Sequence, residues 1–174
     1  MEHASGGSEW RAVMLYEMLR EHAPTKLWAE GPFHEAFRSL LPVHTVDVEK
    51  GEIPRDGILV FVGSYMDVGP WVRLGRYRRA IVIHNVSWLG GLERLLTTLA
   101  QASIGRVDLV HTSRMIRDAS GRPGRIEYSW IDLSRFTPTE DRADGRFTIG
   151  RLSRDVPEKH HVDDPALYRS LAEE

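Results

Sequence analysis

Cysteine is absent from the 174 residues, which excludes a disulfide framework, thiolate zinc sites and a cysteine nucleophile. Net charge is nearly absent too: 23 basic residues stand against 25 acidic ones, a formal −2. That balance argues against a dedicated nucleic-acid binder, whose domain is strongly basic. Long apolar runs are missing. The longest β-like run, Ile58 to Val62 between two glycines, is far short of the ~18 residues of a membrane-spanning helix. Met1 to Gly7 has neither the basic nor the apolar region of a secretory signal. Lysine is scarce, 3 against 20 arginines, a bias read first as genome composition. What is present is ordinary: 41% hydrophobic, 28% charged and 9% aromatic residues. Disorder, collagen and coiled coil are thereby excluded. At roughly 100–200 residues per domain, the length allows one domain, or one plus a piece of another. The expectation is a soluble, cytoplasmic α/β protein.

Two periodicities alternate along the chain. Residues 10–22 carry apolar groups over a wide arc, which predicts a well-covered helix. Residues 25–29 read as a short strand. Pro32 then opens a second helix with Phe33, Ala36, Phe37 and Leu40 on one face. Residues 44–48 are another strand. The continuous apolar runs 58–62 and 80–84 are strands covered on both faces. Leu92, Leu95, Leu96, Leu99 and Ala102 follow the i, i+3, i+4, i+7 rule, so 91–103 is a helix. Residues 107–111 are strand-like, 114–119 a polar helical turn and 121–124 a turn. Residues 126–131 and 147–152 are the last strands. Strands alternating with helices imply βαβ units and a Rossmann-like, mostly parallel sheet with helices on both faces.

Residues 137–146, polar with Pro138 and Gly145, mark the boundary between a domain at 1–136 and a single strand-helix unit at 147–174. In that unit Asp164 is a good N-cap and Pro165 a good first helical residue. A lone unit of this kind cannot bury its own apolar faces. At the other end, Ser5 to Glu9 has the form of a strand-to-helix loop with Ser8 as N-cap, yet only a stub precedes it. Both ends read as cropped.

In open α/β sheets ligands sit outside the carboxyl ends of the strands. Gly6 and Gly7, Gly63 to Tyr65, His84 and Asn85, and Thr112 and Ser113 all fall there, so one polar cleft is expected; ordinary polar loops are the alternative. Gly6 and Gly7 can let backbone N–H groups approach an anion or a sugar, or form a plain turn. His84 stands where it could exchange a proton with a ligand, or be a satisfied structural group. His111 reads as structural. His160 and His161, near Asp163 and Asp164, make a poor zinc set because adjacent side chains diverge. Arg73, Arg76, Arg78 and Arg79, interleaved with Trp71 and Tyr77, read as a solvated helix face, or as a contact to an anionic membrane surface. Arg151, Arg154 and Lys159, after a strand ending at Gly150, offer guanidinium and ammonium groups of the kind that hold phosphoryl oxygens; plain surface charge is the other reading.

Several of these segments together carry a resemblance. Gly6, Gly7, Ser8 and Glu9 look like a glycine loop opening a first helix, and Ile81 to Asn85 like a strand whose terminal histidine lies in a cleft. Asp108 to Ser113 resembles a strand ending in a serine. Ile131, Asp132, Phe136 and Pro138 are similar to a "G-I-D-x-x-x-F-x-P" crossover, with Trp130 in place of the usual glycine. Phe147 to Ser153 resembles a "V-G-R-L-S" strand. In this order they resemble retaining glycosyltransferases of the GT-B fold, the family 4 group that uses nucleotide-activated sugars.

The resemblance implies an acceptor-side N-terminal half and the start of a donor-binding domain. It implies hexose transfer from a nucleotide diphosphate sugar to an acceptor hydroxyl, in polysaccharide or glycolipid synthesis. Arg151, Lys159 and Arg154 would neutralise the donor diphosphate without a metal or other cofactor. His84 would be catalytic, and Gly6, Gly7 and Asn85 would border sugar and acceptor. The partners would be a nucleotide sugar, a glycan or lipid acceptor and the inner face of a membrane, with no nucleic acid. Asp155 to Pro157 reads as an insertion relative to the family, and the second domain's Glu-x7-Glu region is not in the sequence, so the chain alone is expected to be inactive. The alternatives are a nucleotide-sugar epimerase of the same fold and a non-catalytic sugar- or partner-binding module.

Overall fold

A computed structural model describes residues 7–31, 33–39, 41–128 and 161–173. They fall in two compact units, Met1–Trp130 and Ile131–Glu174. The expected linker at 137–146 and strand at 147–152 lie outside the described residues.

In the first unit, α1 (Gly7–Arg20) has two apolar flanks. Val13 and Tyr16 are buried with Phe37 and Leu41, while Arg11 and Leu15 adjoin Ile83 and Val110 of the larger sheet in a narrow crevice. The two flanks account for the wide apolar arc, although Trp10 and Met18 stay exposed at its margins. Strands β1 (Leu27–Ala29) and β2 (Val43–Thr45) pair in parallel as a separate two-stranded sheet. The helix expected from Pro32 is a single turn, α2 (Glu35–Arg38), capped by His34, whose Nδ1 accepts the Ala36 N–H at 3.2 Å. Pro42 disfavours helical backbone at Leu41, so the turn cannot propagate. The strand expected at 44–48 ends early. The Asp47 carboxylate accepts the Lys50 N–H at 3.0 Å, and Asp47 forms an antiparallel bridge to Glu52, so the chain reverses there.

The larger sheet holds β3 (Asp56–Val62), β4 (Arg76–His84), β5 (Val107–His111) and β6 (Arg125–Ile126) in that spatial order, all parallel. The α/β class with parallel sheets is as expected; two separate sheets replace the single one. The strand expected at 126–131 is described only as β6. Helix α3 (Leu89–Gln101) lays Leu92, Leu95 and Leu99 on Leu59, Phe61, Ala80 and Val82. Each fully buried leucine contributes about 1.5–3 kcal/mol of transfer free energy. Helix α4 (Arg114–Ser120) starts where Ser113 Oγ accepts the Ile116 N–H at 3.1 Å, and it closes on Gly121 at φ 61°, a left-handed cap that costs glycine little.

The arginines at 73–79 are not a helix face. Pro70–Arg73 is a 3-10 turn and Arg76 opens β4, because Tyr77 must turn inward, where it is buried and donates its hydroxyl to the Pro54 carbonyl at 2.6 Å. Burial pushes the Tyr77 phenol up to about 12. Arg79 pairs with Asp108 on β5, which also takes Arg106 at 2.7 Å. Arg106 first, then Arg79, holds the Asp108 carboxyl below its usual range. In the second unit, α5 (Asp164–Glu173) begins one residue earlier than expected: Asp164 is its first residue and Pro165 its second, and the Asp163 carbonyl accepts the Leu167 N–H at 3.0 Å. Among the described residues, no helix is long and apolar enough to cross a membrane.

Leu95 is 1% exposed. Leu95→Ala is expected to lower unfolding stability in urea by about 2–5 kcal/mol, the range for a buried leucine truncated to leave a cavity. Met115→Ala, at a 73% exposed side chain, should stay within about 0.5 kcal/mol.

Candidate functional site

Alternation along β4 separates the residues at its carboxyl end. Val82 and His84 point to the α3 face and Ile83 and Asn85 to the α1 face, because successive strand side chains face opposite ways. On the α1 side, Asn85 Nδ2 donates to Ser8 Oγ at 2.7 Å. Ser8 is therefore the second residue of the helix rather than its cap, and its hydroxyl belongs to this bond. Gly7 opens the helix beside it, and a Cβ there would meet nothing within 4 Å. The first turn of α1, with its unsatisfied N–H groups, thus meets the end of β4. The structure brings Asn85 to Ser8, the residue after Gly7. Gly6, Arg151, Arg154 and Lys159 lie outside the described residues.

On the α3 side, Ser64, His84 and His111 are all fully buried. Ser64 Oγ and His84 Nδ1 share a hydrogen bond of 2.6 Å. His84 is opposite His111 in the β4–β5 register, with ring centroids 5.7 Å apart and edge-on. His111 Nε2 lies 3.2 Å from the Arg122 carbonyl oxygen, an acceptor only, so this nitrogen carries the proton. Among the described residues, His84 Nε2, His111 Nδ1 and, on the other face, Asn85 Oδ1 are buried without a partner. Two glycines let the chain close over the cluster. A Cβ at Gly91 would lie 2.5 Å from the Ser64 carbonyl oxygen, and one at Gly124 would lie 2.8 Å from the His111 ring.

Burial, then the neighbouring His111, lowers the pKa of His84. Burial is also the largest influence lowering His111; Arg117 lowers it further, while the Arg122 carbonyl and Asp118 act in the opposite direction. Both rings are neutral at pH 7. The N–H groups of the first turn of α1 can donate to a ligand's oxygens, and the neutral His84 pair can accept or donate a proton only where a ligand reaches Nε2.

Trp88 gave no periodic signal in the sequence, yet it stands at this end of the sheet. It is 51% exposed, and the Arg94 guanidinium sits 4.8 Å above its ring; Arg94 also pairs with Asp67 at 2.8 Å. Tyr65 is exposed nearby, its Cα and the Trp88 ring both touching the space a Gly91 side chain would need. An aromatic directly before a helix that follows a buried strand was the available signal. Ser113 is used as the α4 cap, and the Thr112 N–H donates to the His84 carbonyl at 3.2 Å. His161 and Asp163 form a local pair at 3.4 Å in the second unit. Among the described residues, no three His, Asp or Glu side chains gather as a metal set.

The geometry defines an α/β protein with parallel sheets and a polar, aromatic-rimmed strand end. No protein-family model, curated protein or solved structure matches the chain.

Two outcomes follow from the buried cluster. The folded-state pKa values of His84 and His111 lie below the unfolded value of about 6.5, so the unfolded chain binds the extra protons below that pH. Stability is therefore full above about pH 6.5 and falls as pH drops through 6 and 5. Urea midpoints at pH 7.5, 6.0 and 5.0 should show the decline, and His84→Gln should flatten it. Gly91→Ala should destabilise by about 1–3 kcal/mol through overpacking, despite alanine's helix preference of about 1 kcal/mol; thermal melts would read the sign.

Proposed function

We propose that the chain is the acceptor-side part of a glycosyl-transfer centre, moving a hexose from a nucleotide diphosphate sugar to a hydroxyl. The observation that carries the reading is the Asn85–Ser8 hydrogen bond of 2.7 Å. It fixes the first turn of α1 to the end of β4, where the N–H groups that open a helix can donate to a ligand's oxygens. Exposed Trp88 and Tyr65 add apolar faces of the kind that pack on sugar rings. In this reading Gly6, Gly7 and Asn85 border the acceptor. Arg151, Arg154 and Lys159 neutralise the diphosphate as its bond to the sugar breaks, since preorganised cations aimed at developing charge lower the barrier. His84 meets the sugar through Nε2, its unpartnered nitrogen.

A second reading, a sugar-binding module without catalysis, is favoured by the complete burial of His84, which holds that nitrogen away from solvent. Amide chemical-shift titration of the isotopically labelled chain separates the two. Under the transferase reading, UDP-glucose or GDP-mannose shifts residues 150–159, and oligosaccharides shift Gly7, Ser8 and Asn85. Under the binding-module reading only the oligosaccharide shifts appear. No shift at either segment across donors and glycans would defeat both.

A further inference from the structure

The opposite end of β4 carries a second concavity. An open pocket of about 440 Å³ lies between the start of β4 and the end of α3, lined by Arg73, Arg76, Arg78, Tyr77, Gln101 and Ser103. The strand's length, about 3.3 Å per residue over nine residues, separates it from His84 and Asn85. Among the described residues, three that bear guanidinium groups line it and no carboxylate does. Arg73 donates to the neutral side-chain amide oxygen of Gln101. Among the described residues Arg76 and Arg78 make no ion pair, although Asp56 is opposite Arg76 in the ladder. Arg79 and Arg106, by contrast, are both committed to Asp108.

One of the pocket's arginines, Arg78, is placed there by a local irregularity. The β3–β4 register shifts after Gly57, so that Tyr77 is opposite Gly57 while Arg79 is opposite Ile58, and Arg78 is the extra residue. Such a bulge re-aims a side chain. Here Arg76 and Arg78 are exposed on either side of the buried Tyr77. The end of α3 contributes a partial charge of about −0.5, which three full positive charges exceed several-fold. Ser103, in the left-handed region at φ 54°, adds a hydroxyl to the rim.

We propose that this pocket binds a phosphoryl group, gripped by the paired N–H groups of Arg76 and Arg78 with Arg73 behind them. Guanidinium forks match phosphoryl oxygens two at a time. The group can be free, as in a small diphosphate, or the headgroup of a lipid, with exposed Leu74 beside it. The proposal stands apart from the transferase reading, since it uses none of the same residues.

Isothermal titration with sodium pyrophosphate at low salt tests the free form, and co-sedimentation with phosphatidylglycerol against phosphatidylcholine vesicles tests the headgroup. The intact chain is expected to bind one of them saturably, and Arg76→Ala with Arg78→Ala should weaken it at least tenfold. Pyrophosphate binding without vesicle binding assigns a soluble ligand; sedimentation with phosphatidylglycerol alone assigns the lipid. Arg76→Gln with Arg78→Gln keeps side-chain length and should lose binding equally, with unchanged circular dichroism and melting temperature. If the wild-type chain binds neither probe, or the folded double variants bind as wild type does, the proposal is wrong.

Discussion

Strand β4 is held between β3 and β5 by parallel ladders, and its alternation decides what every other element can do. One set of its side chains, Ala80 and Val82, must be covered by an apolar surface, and the leucine face of α3 supplies it. The other set, with Ile83, adjoins Arg11 and Leu15 of α1. Two helices are thereby fixed on opposite faces of one strand, and their amino-terminal turns arrive near its carboxyl end. Shifting β4 by one residue would exchange the two sets and set each against the surface that fits the other, so the pairing register is tightly specified.

The same alternation distributes polar groups at that end. Asn85 goes to the first turn of α1 and His84 into the sheet–α3 layer, so neighbours in sequence have different environments. Asn85 holds a helix start against a strand end and keeps one oxygen unpartnered. His84 is sealed with Ser64 and His111, and the neutral form is favoured because ionising a buried imidazole forfeits hydration. Buried polar atoms without partners are uncommon in folded proteins. Three of them at one strand end distinguish it from an ordinary hydrophobic layer.

The arginines have divergent fates set by the same sheet. Arg79 and Arg106 converge on Asp108 across the β4–β5 ladder, an ion-paired cluster at the surface. Arg122 forks onto Glu93 of α3 at 2.6 Å. Exposed pairs of this kind contribute about 0–1 kcal/mol each, so their value lies in position more than in stability. Among the described residues Arg76 and Arg78 make no such ion pair, and the bulge at Arg78 separates it from Arg79.

Apolar periodicity alone determined the α/β class, the parallel strands, the leucine face of α3 and the turn at Gly121, because period and turn chemistry are local properties. It also set His84 and Asn85 at the carboxyl end of a buried strand, since the apolar run 80–84 ends there. It overextended α2, where Pro42 limits the turn, and it read the arginines at 73–79 as helical because Tyr77's inward commitment is not visible without Pro54 above it. Only the tertiary structure decided that the strands form two sheets, that His84 is sealed with Ser64 and His111, and that Trp88 stands at the site. Each of these depends on contacts between segments distant in sequence, where backbone approach at Gly91 and Gly124 and the pairing register fix the outcome. No local pattern encodes a distance of that kind.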